Sequence, residues 1–189
     1  LHRFDGTTWT DVSDGLPEQR NLKDVAVDER GRLWLATNSR VYVRGDDASW
    51  KKVLDLADVR PDAETDVEAG QLYLVKFGVT PQGPTYLLSS EAVYRRRGDA
   101  LEKLDVELSS PWIIACGSRG DAVVRDRLGV VVVQPDGSSR RLPEARLGIA
   151  SAWGVNTDAR GRLWVGTSHG LMIFAGTGER VVHYAPGTI

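Results

Sequence analysis

A single cysteine, Cys116, leaves this chain with no intrachain disulfide and no cysteine-built zinc site. It falls in the apolar run Trp112–Cys116, where it reads as a small buried hydrophobe. The three histidines, His2, His169 and His183, are scattered with no metal-ligand spacing, so no metal and no other cofactor is expected. No apolar run approaches the ~18 residues that cross a bilayer, so no membrane span is expected within these 189 residues. The formal charge of only −2 gives no electrostatic reason to expect nucleic acid or an anionic membrane surface as a partner. Arg95-Arg96-Arg97 is the one dense basic run; three charges cannot hold a phosphate backbone tightly, and it reads as a solvated strand end. An initiating Met is also lacking: the sequence opens at Leu1 in mid-pattern, and residues are expected to precede it. Phe and Tyr are scarce against 6 Trp and 20 Gly, a balance that suits many short strands and tight turns better than a helical bundle.

What the chain does have is an internal repeat. Lys23–Val43 (KDVAVDERGRLWLATNSRVYV) and Trp153–Ile173 (WGVNTDARGRLWVGTSHGLMI) align without a gap and share Gly-Arg-Leu-Trp at Gly31–Trp34 and Gly161–Trp164. Weaker copies lie between, in Val75–Arg95 and Trp112–Val132. Their anchoring glycines, Gly31, Gly83, Gly120 and Gly161, stand 52, 37 and 41 residues apart. A repeat of that size built from short apolar strands is the signature of a β-propeller blade.

Each copy divides into four strands. In the first, Lys23–Asp28 alternates with Val25 and Val27 on one face, and Asp28-Glu29-Arg30-Gly31 is a hairpin turn. Arg32–Thr37, Arg40–Arg44 and Ser49–Leu54 follow. The fourth copy repeats this as Gly154–Asp158, Arg162–Thr167, Gly170–Ala175 and Arg180–Tyr184. Tyr86 and Val123 replace the tryptophan in the middle copies, so that position stays one of packing. Ala57–Gly70, rich in Asp, Glu and Pro, reads as an excursion on one rim.

The expected fold is therefore all-β: one propeller domain over residues 1–189, with blades at about 22–55, 72–105, 111–142 and 152–184. Leu1–Phe4 matches a third strand and Thr8–Val12 a fourth, so residues 1–12 form a half-blade without its two inner strands. Propellers close by pairing strands from both termini. A fragment of a larger propeller is the expectation; the other reading is that another chain supplies the match.

These residues resemble the two-component regulator propeller repeat. The resemblance rests on Gly15-Leu16-Pro17, Asn21, Val25–Asp28 and Gly31-Arg32-Leu33-Trp34, and best on Asp158–Leu171 (DARGRLWVGTSHGL). Leu1–Trp9 (LHRFDGTTW) is similar to the blade end of that family. The match is strong in copies one and four and weak in two and three, where the Leu-Trp and Gly-Thr pairs are lost. It implies a sensor domain of a bacterial signalling protein, periplasmic or extracellular, whose blades encircle a ligand-binding or partner-binding surface. Nothing in the chain resembles a kinase, receiver or DNA-binding segment.

No set of catalytic side chains is recognisable. Asp28 and Asp158 are a carboxylate pair only in sequence, since each sits at its own repeat's turn, where Asp bonds the local backbone. Asp5-Gly6-Thr7-Thr8-Trp9 is similar to the Asp-box turn of sialidase-type propellers, itself a fold element, but lacks its leading Ser. Ser168-His169 is accounted for by a two-residue turn before Gly170, and Trp34 and Trp164 by packing between blades. Trp112 and Trp153 differ: they fall at the entry to an innermost strand, near the loops that line a propeller's mouth. The loops entering first strands and those joining second to third strands share one face. The candidate ligand contacts on it are Arg20, Asn21, Asn38, Arg127, Ser151, Trp153 and His169. Their mixture of Arg, Asn and Trp suits a small-molecule or carbohydrate-like ligand, or equally a protein partner. The expected function is a non-catalytic ligand-binding or sensor propeller, with a protein-interaction scaffold as the alternative and a propeller lyase or glycosidase as the third reading.

Overall fold

Along Tyr86-Leu87-Leu88 and Ala122-Val123-Val124 every residue is buried, so strand alternation here does not separate an inside from an outside. Both faces of these sheets are covered. The computed structural model, which describes residues 1–16, 22–59, 74–80, 83–143, 152–175 and 180–185, gives the reason. Four antiparallel sheets of four strands stand side by side, the middle two packed on both faces.

The chain opens with a two-stranded hairpin, β1 (His2–Phe4) and β2 (Trp9–Asp11). Blade 1 contains β3 (Asp24–Val27), β4 (Leu33–Ala36), β5 (Arg40–Arg44) and β6 (Trp50–Asp55), followed by one helical turn, α1 (Leu56–Val59). Blade 2 contains β7 (Leu74–Thr80), β8 (Gly83–Ser89), β9 (Val93–Arg97) and β10 (Ala100–Lys103). Blade 3 contains β11 (Ile113–Cys116), β12 (Ala122–Asp126), β13 (Gly129–Val133) and β14 (Ser139–Pro143). Blade 4 contains β15 (Ala152–Thr157), β16 (Leu163–Thr167), β17 (Gly170–Phe174) and β18 (Arg180–Tyr184). Each strand pairs with the next in sequence, and the first strands β3, β7, β11 and β15 neighbour one another in succession, so the sheets fan out from them as propeller blades do. The turn α1 begins the rim excursion expected after blade 1; residues 60–73 of that stretch lie outside the described residues.

The core is three seams rather than one mass. Trp34, Ala36 and Val43 of blade 1 meet Phe77, Leu87 and Tyr94 of blade 2. Tyr86, Leu88 and Val93 of blade 2 meet Ile114, Val124 and Val133 of blade 3. Val123, Val130 and Val132 of blade 3 meet Val155, Val165 and Phe174 of blade 4. Period-two alternation thus sends Leu87 to the preceding blade and Tyr86 to the following one. Val25 and Val27 do share a face, as the alternation predicts, yet they are 44% and 51% exposed, with no inner strand packed on them among the described residues.

The first seam carries a polar latch. Asp28 Oδ1 accepts the backbone N–H groups of Arg30 (3.0 Å) and Arg32 (2.9 Å), the turn role its sequence position implies. Its Oδ2 also accepts Trp34 Nε1 at 3.0 Å and the Arg32 guanidinium at 2.9 Å. Burial pushes the Asp28 carboxyl up, but the donors from Trp34, Arg32 and Arg30 outweigh it and hold the group below the usual carboxylate range. Arg96 of blade 2 lies 5.4 Å above the Trp34 ring and reaches Asp28 at 3.4 Å and Glu29 at 2.6 Å, while Arg32 reaches back to Asp99 of blade 2 at 2.6 Å. This corrects the solvated reading of Arg95-Arg96-Arg97. Only Arg97 is solvated. Arg95 is buried, donating to the Pro135 carbonyl (2.6 Å) and to Glu102 (3.2 Å), because a guanidinium on a third strand reaches across the seam to turns of the next blade.

A second device repeats at the opposite rim. A residue at or just past the end of each second strand turns its side chain onto the turn that follows: Thr37 to the Arg40 N–H (3.1 Å), Ser89 to the Ala92 N–H (2.9 Å), Asp126 to the Leu128 N–H (3.0 Å) and Thr167 to the His169 N–H (3.1 Å). Asp126 is fully buried and also holds Arg141 at 2.7 Å and the Ser109 N–H at 2.9 Å. Burial raises its carboxyl, and these three donors bring it below the ordinary range.

Candidate functional site

The rim carrying the second-to-third strand turns also carries the entries to the first strands, since alternate ends of an antiparallel meander lie together. Asn38, Arg127 and His169 sit in the turns of blades 1, 3 and 4, and Trp153 sits at the entry to β15, so the structure brings all four to this rim. Arg20, Asn21 and Ser151 lie outside the described residues. Ser168 and His169 form the expected two-residue turn, with Ser168 Oγ 3.1 Å from His169 Nδ1. Asn38 is half-buried, and its amide oxygen has no hydrogen-bond partner among the described residues.

Trp153 stands out. It occupies a bulge between Ala152 and Gly154 on β15, and it is 74% exposed. A bulge adds one residue to a strand and re-aims its side chain, which is how an aromatic comes to leave the seam. Trp112 occupies the corresponding place in blade 3. Its N–H bonds the Arg125 carbonyl at 3.1 Å just before Ile113 pairs with Arg125, as Gly154 pairs with Gly166 in blade 4. Trp112 is 42% exposed. Two exposed tryptophans therefore stand at one register of neighbouring blades, on the rim that carries the first-strand entries.

Arg125 was not legible as part of this site. It occupies the register held by Ala36, Leu88 and Gly166 in the other blades, and it is only 3% exposed. Its Nη1 donates to the Gly129 carbonyl at 2.9 Å and to the Asp126 carbonyl, and its guanidinium lies 4.8 Å from the Trp112 ring centroid. A buried cation under an exposed indole fixes the ring and leaves its other face for a ligand. The signal was present in the aligned copies as one charged residue in an otherwise small or apolar column. Leu128, beside Arg127, adds an exposed apolar side chain on the same rim.

Cys116 packs beside the second seam, and burial pushes its thiol up to about 12, so it is not a thiolate nucleophile at neutral pH. Among the described residues no group of three or more His, Cys, Asp and Glu side chains could hold a metal ion, and no helix is long and apolar enough to cross a membrane. The chemistry the arrangement offers among the described residues is stacking, hydrogen bonding and the exposed Arg127 guanidinium.

No family model and no curated protein matches the sequence. Solved structures do match the fold. A catalytically inactive virginiamycin B lyase from Staphylococcus aureus with quinupristin is similar over 96% of this chain and 61% of its own, at 14% identity and TM-score 0.65. The extracellular domain of a protein assigned as a hybrid two-component system from B. thetaiotaomicron is similar over 89% of this chain and 25% of its own, at 14% identity and TM-score 0.56. A gluconolactonase from Xanthomonas campestris matches over 88% and 63%, at 17% identity and TM-score 0.52. The chain spans about three fifths of the length of the lyases it matches. Enzymes and sensor-type extracellular domains share this architecture, and what the likeness establishes for this chain is the all-β propeller fold.

Proposed function

We propose that the rim bearing Trp112 and Trp153 is a non-catalytic recognition surface for a small polar ligand with a flat face, of which a saccharide is the leading class. The observation that carries this reading is the pair of exposed indoles at one register of adjacent inner strands, one of them backed by buried Arg125. Rings left in water on a rigid scaffold are favoured where a ligand covers them. Arg127 and His169, exposed on the neighbouring turns, supply the polar contacts. The sensor role, outside the cytoplasm, accords with the extracellular domain from B. thetaiotaomicron that shares the fold. A protein partner is the second reading, favoured by exposed Leu128 beside Arg127.

The test is a screen of oligosaccharides and small polar aromatics against the intact chain by calorimetry and tryptophan fluorescence. Trp153→Ala and Trp112→Ala should each weaken the bound ligand roughly 3- to 10-fold, the size of a stacking contact. Trp153→Ala should leave the thermal midpoint unchanged, because its ring is 74% exposed. Binding that survives substitution of Trp112, Trp153, Arg127 and His169 together would remove this site.

A further inference from the structure

Trp164 lies near the start of β16, whose outward face meets no further sheet among the described residues, and its hydrogen bonds duplicate those of Trp34. Asp158 Oδ1 accepts the N–H groups of Arg160 (2.9 Å) and Arg162 (3.0 Å), and its Oδ2 accepts Trp164 Nε1 (3.0 Å) and Arg162 Nε (2.6 Å). These are the bonds that Asp28 makes to Arg30, Arg32 and Trp34. The difference lies above the ring. Over Trp34 stands Arg96 of the next blade, at 5.4 Å; over Trp164 stands the blade's own Arg162, at 5.5 Å. Arg32, relieved of that place, pairs with Asp99 across the seam, whereas among the described residues Arg162 makes its ion pair with Asp158 alone.

The three seams follow one register rule. The second-strand residue of each blade packs against the third-strand residue just beyond its counterpart's pairing partner in the next blade: Trp34 against Arg96, Tyr86 in one cluster with Val133, Val123 in one cluster with Phe174. Tyrosine takes a small partner, valine takes a large aromatic one, and tryptophan with its Asp latch takes an arginine. The interdigitation keeps packing dense, and the carboxylate under the indole selects a cation over an aliphatic group.

We propose that the Asp158–Arg162–Trp164 face is a docking surface for a further four-stranded blade that carries an arginine on its third strand, over Trp164, and a carboxylate in its third-to-fourth turn, against Arg162. The argument is continuity with the seam between blades 1 and 2. Complementary charge supports it from the other end of the chain. Arg44, the blade 1 residue at the register of Arg96, and Asp46, in the corresponding turn, both line the groove beside Arg3 on the half-blade side, where blade 1 would face a preceding sheet. A second copy of this chain is the less suited occupant, because its half-blade would bring Phe4, stacked on Trp9 at 4.9 Å, to a place built for a cation.

The experiment appends a second copy of residues 72–105, the stretch that covers Trp34, after residue 189 through a flexible linker, and follows amide hydrogen exchange. Amides of β16 (residues 163–167) should exchange at least tenfold more slowly than in the parent chain, and the appended strands should themselves be protected. Arg96→Ala in the appended copy alone, and Trp164→Ala in the parent blade, should each abolish most of that slowing. An appended blade that folds without slowing β16 overturns the proposal, and so does one that gains no protection, since blade 4 then fails to template it. Sedimentation of the parent chain closes the other route: concentration-dependent dimers lost on Phe4→Ala would assign the face to self-association instead.

Discussion

Trp34→Ala should destabilise the chain by about 3–5 kcal/mol in urea unfolding, whereas Trp164→Ala should cost under about 2 kcal/mol. The two residues share a sequence motif and a hydrogen-bonding pattern, so the difference isolates what a neighbouring blade adds. Trp34 is 0% exposed, and its removal leaves a cavity in the first seam. It also removes the Nε1 donor from buried Asp28 and the ring beneath Arg96. A buried carboxylate short of a donor adds its own cost. Trp164 is partly exposed, so its truncation removes less buried area and water can fill the gap. Trp34→Phe is the finer probe: it keeps most of the volume and loses the one hydrogen bond, for about 1–2 kcal/mol. Equal losses at Trp34 and Trp164 would mean that the seam contributes nothing beyond the blade itself.

The second large effect is expected at a glycine. Gly83 has φ +92°, and a Cβ built on it would stand 2.5 Å from Asp28 Cα and 2.9 Å from the Val27 carbonyl oxygen. Those are backbone atoms of the preceding blade, which cannot swing aside. Gly31 has φ +75° at the corresponding turn of blade 1, with nothing within 4 Å. Gly31→Ala should therefore cost about 1–2 kcal/mol, the conformational term alone. Gly83→Ala should cost about 3 kcal/mol or more, because the seam must open to admit the methyl group. Gly161→Ala falls between, since the atoms it meets belong to the mobile end of Arg119. Guanidinium unfolding of the three variants gives the order directly; a Gly83 variant no worse than the Gly31 variant would contradict the close approach of blades 1 and 2.

Much of the architecture was readable because a propeller writes itself in sequence as a period. Gly31, Gly83, Gly120 and Gly161 all have positive φ, so the anchors of the alignment are positions where the backbone demands glycine. The tryptophan register was readable too, since Trp34, Tyr86 and Val123 keep an apolar side chain where one blade meets the next. Pairwise chemistry across the seams was not. Arg96 and Asp99 lie 68 and 67 residues from their partners Asp28 and Arg32, and no local pattern announces such a pair. A run of three arginines therefore read as solvent-facing although two of its members plug a seam. At the mouth, Trp112 and Trp153 were legible from their places before the inner strands. Arg125 was hidden, because its charge looked like any other on a strand until the register placed it beneath an indole.

The central claim is that four-stranded units stand face to face about an axis, joined by side chains that reach from one to the next. A double-mutant cycle between Trp34 and Arg96 tests it most directly, since the two meet only if blade 2 lies on that face of blade 1. The account predicts a coupling of about 1–2 kcal/mol between Trp34→Ala, which removes the ring, and Arg96→Ala. Additive losses, with a coupling near zero, would contradict it.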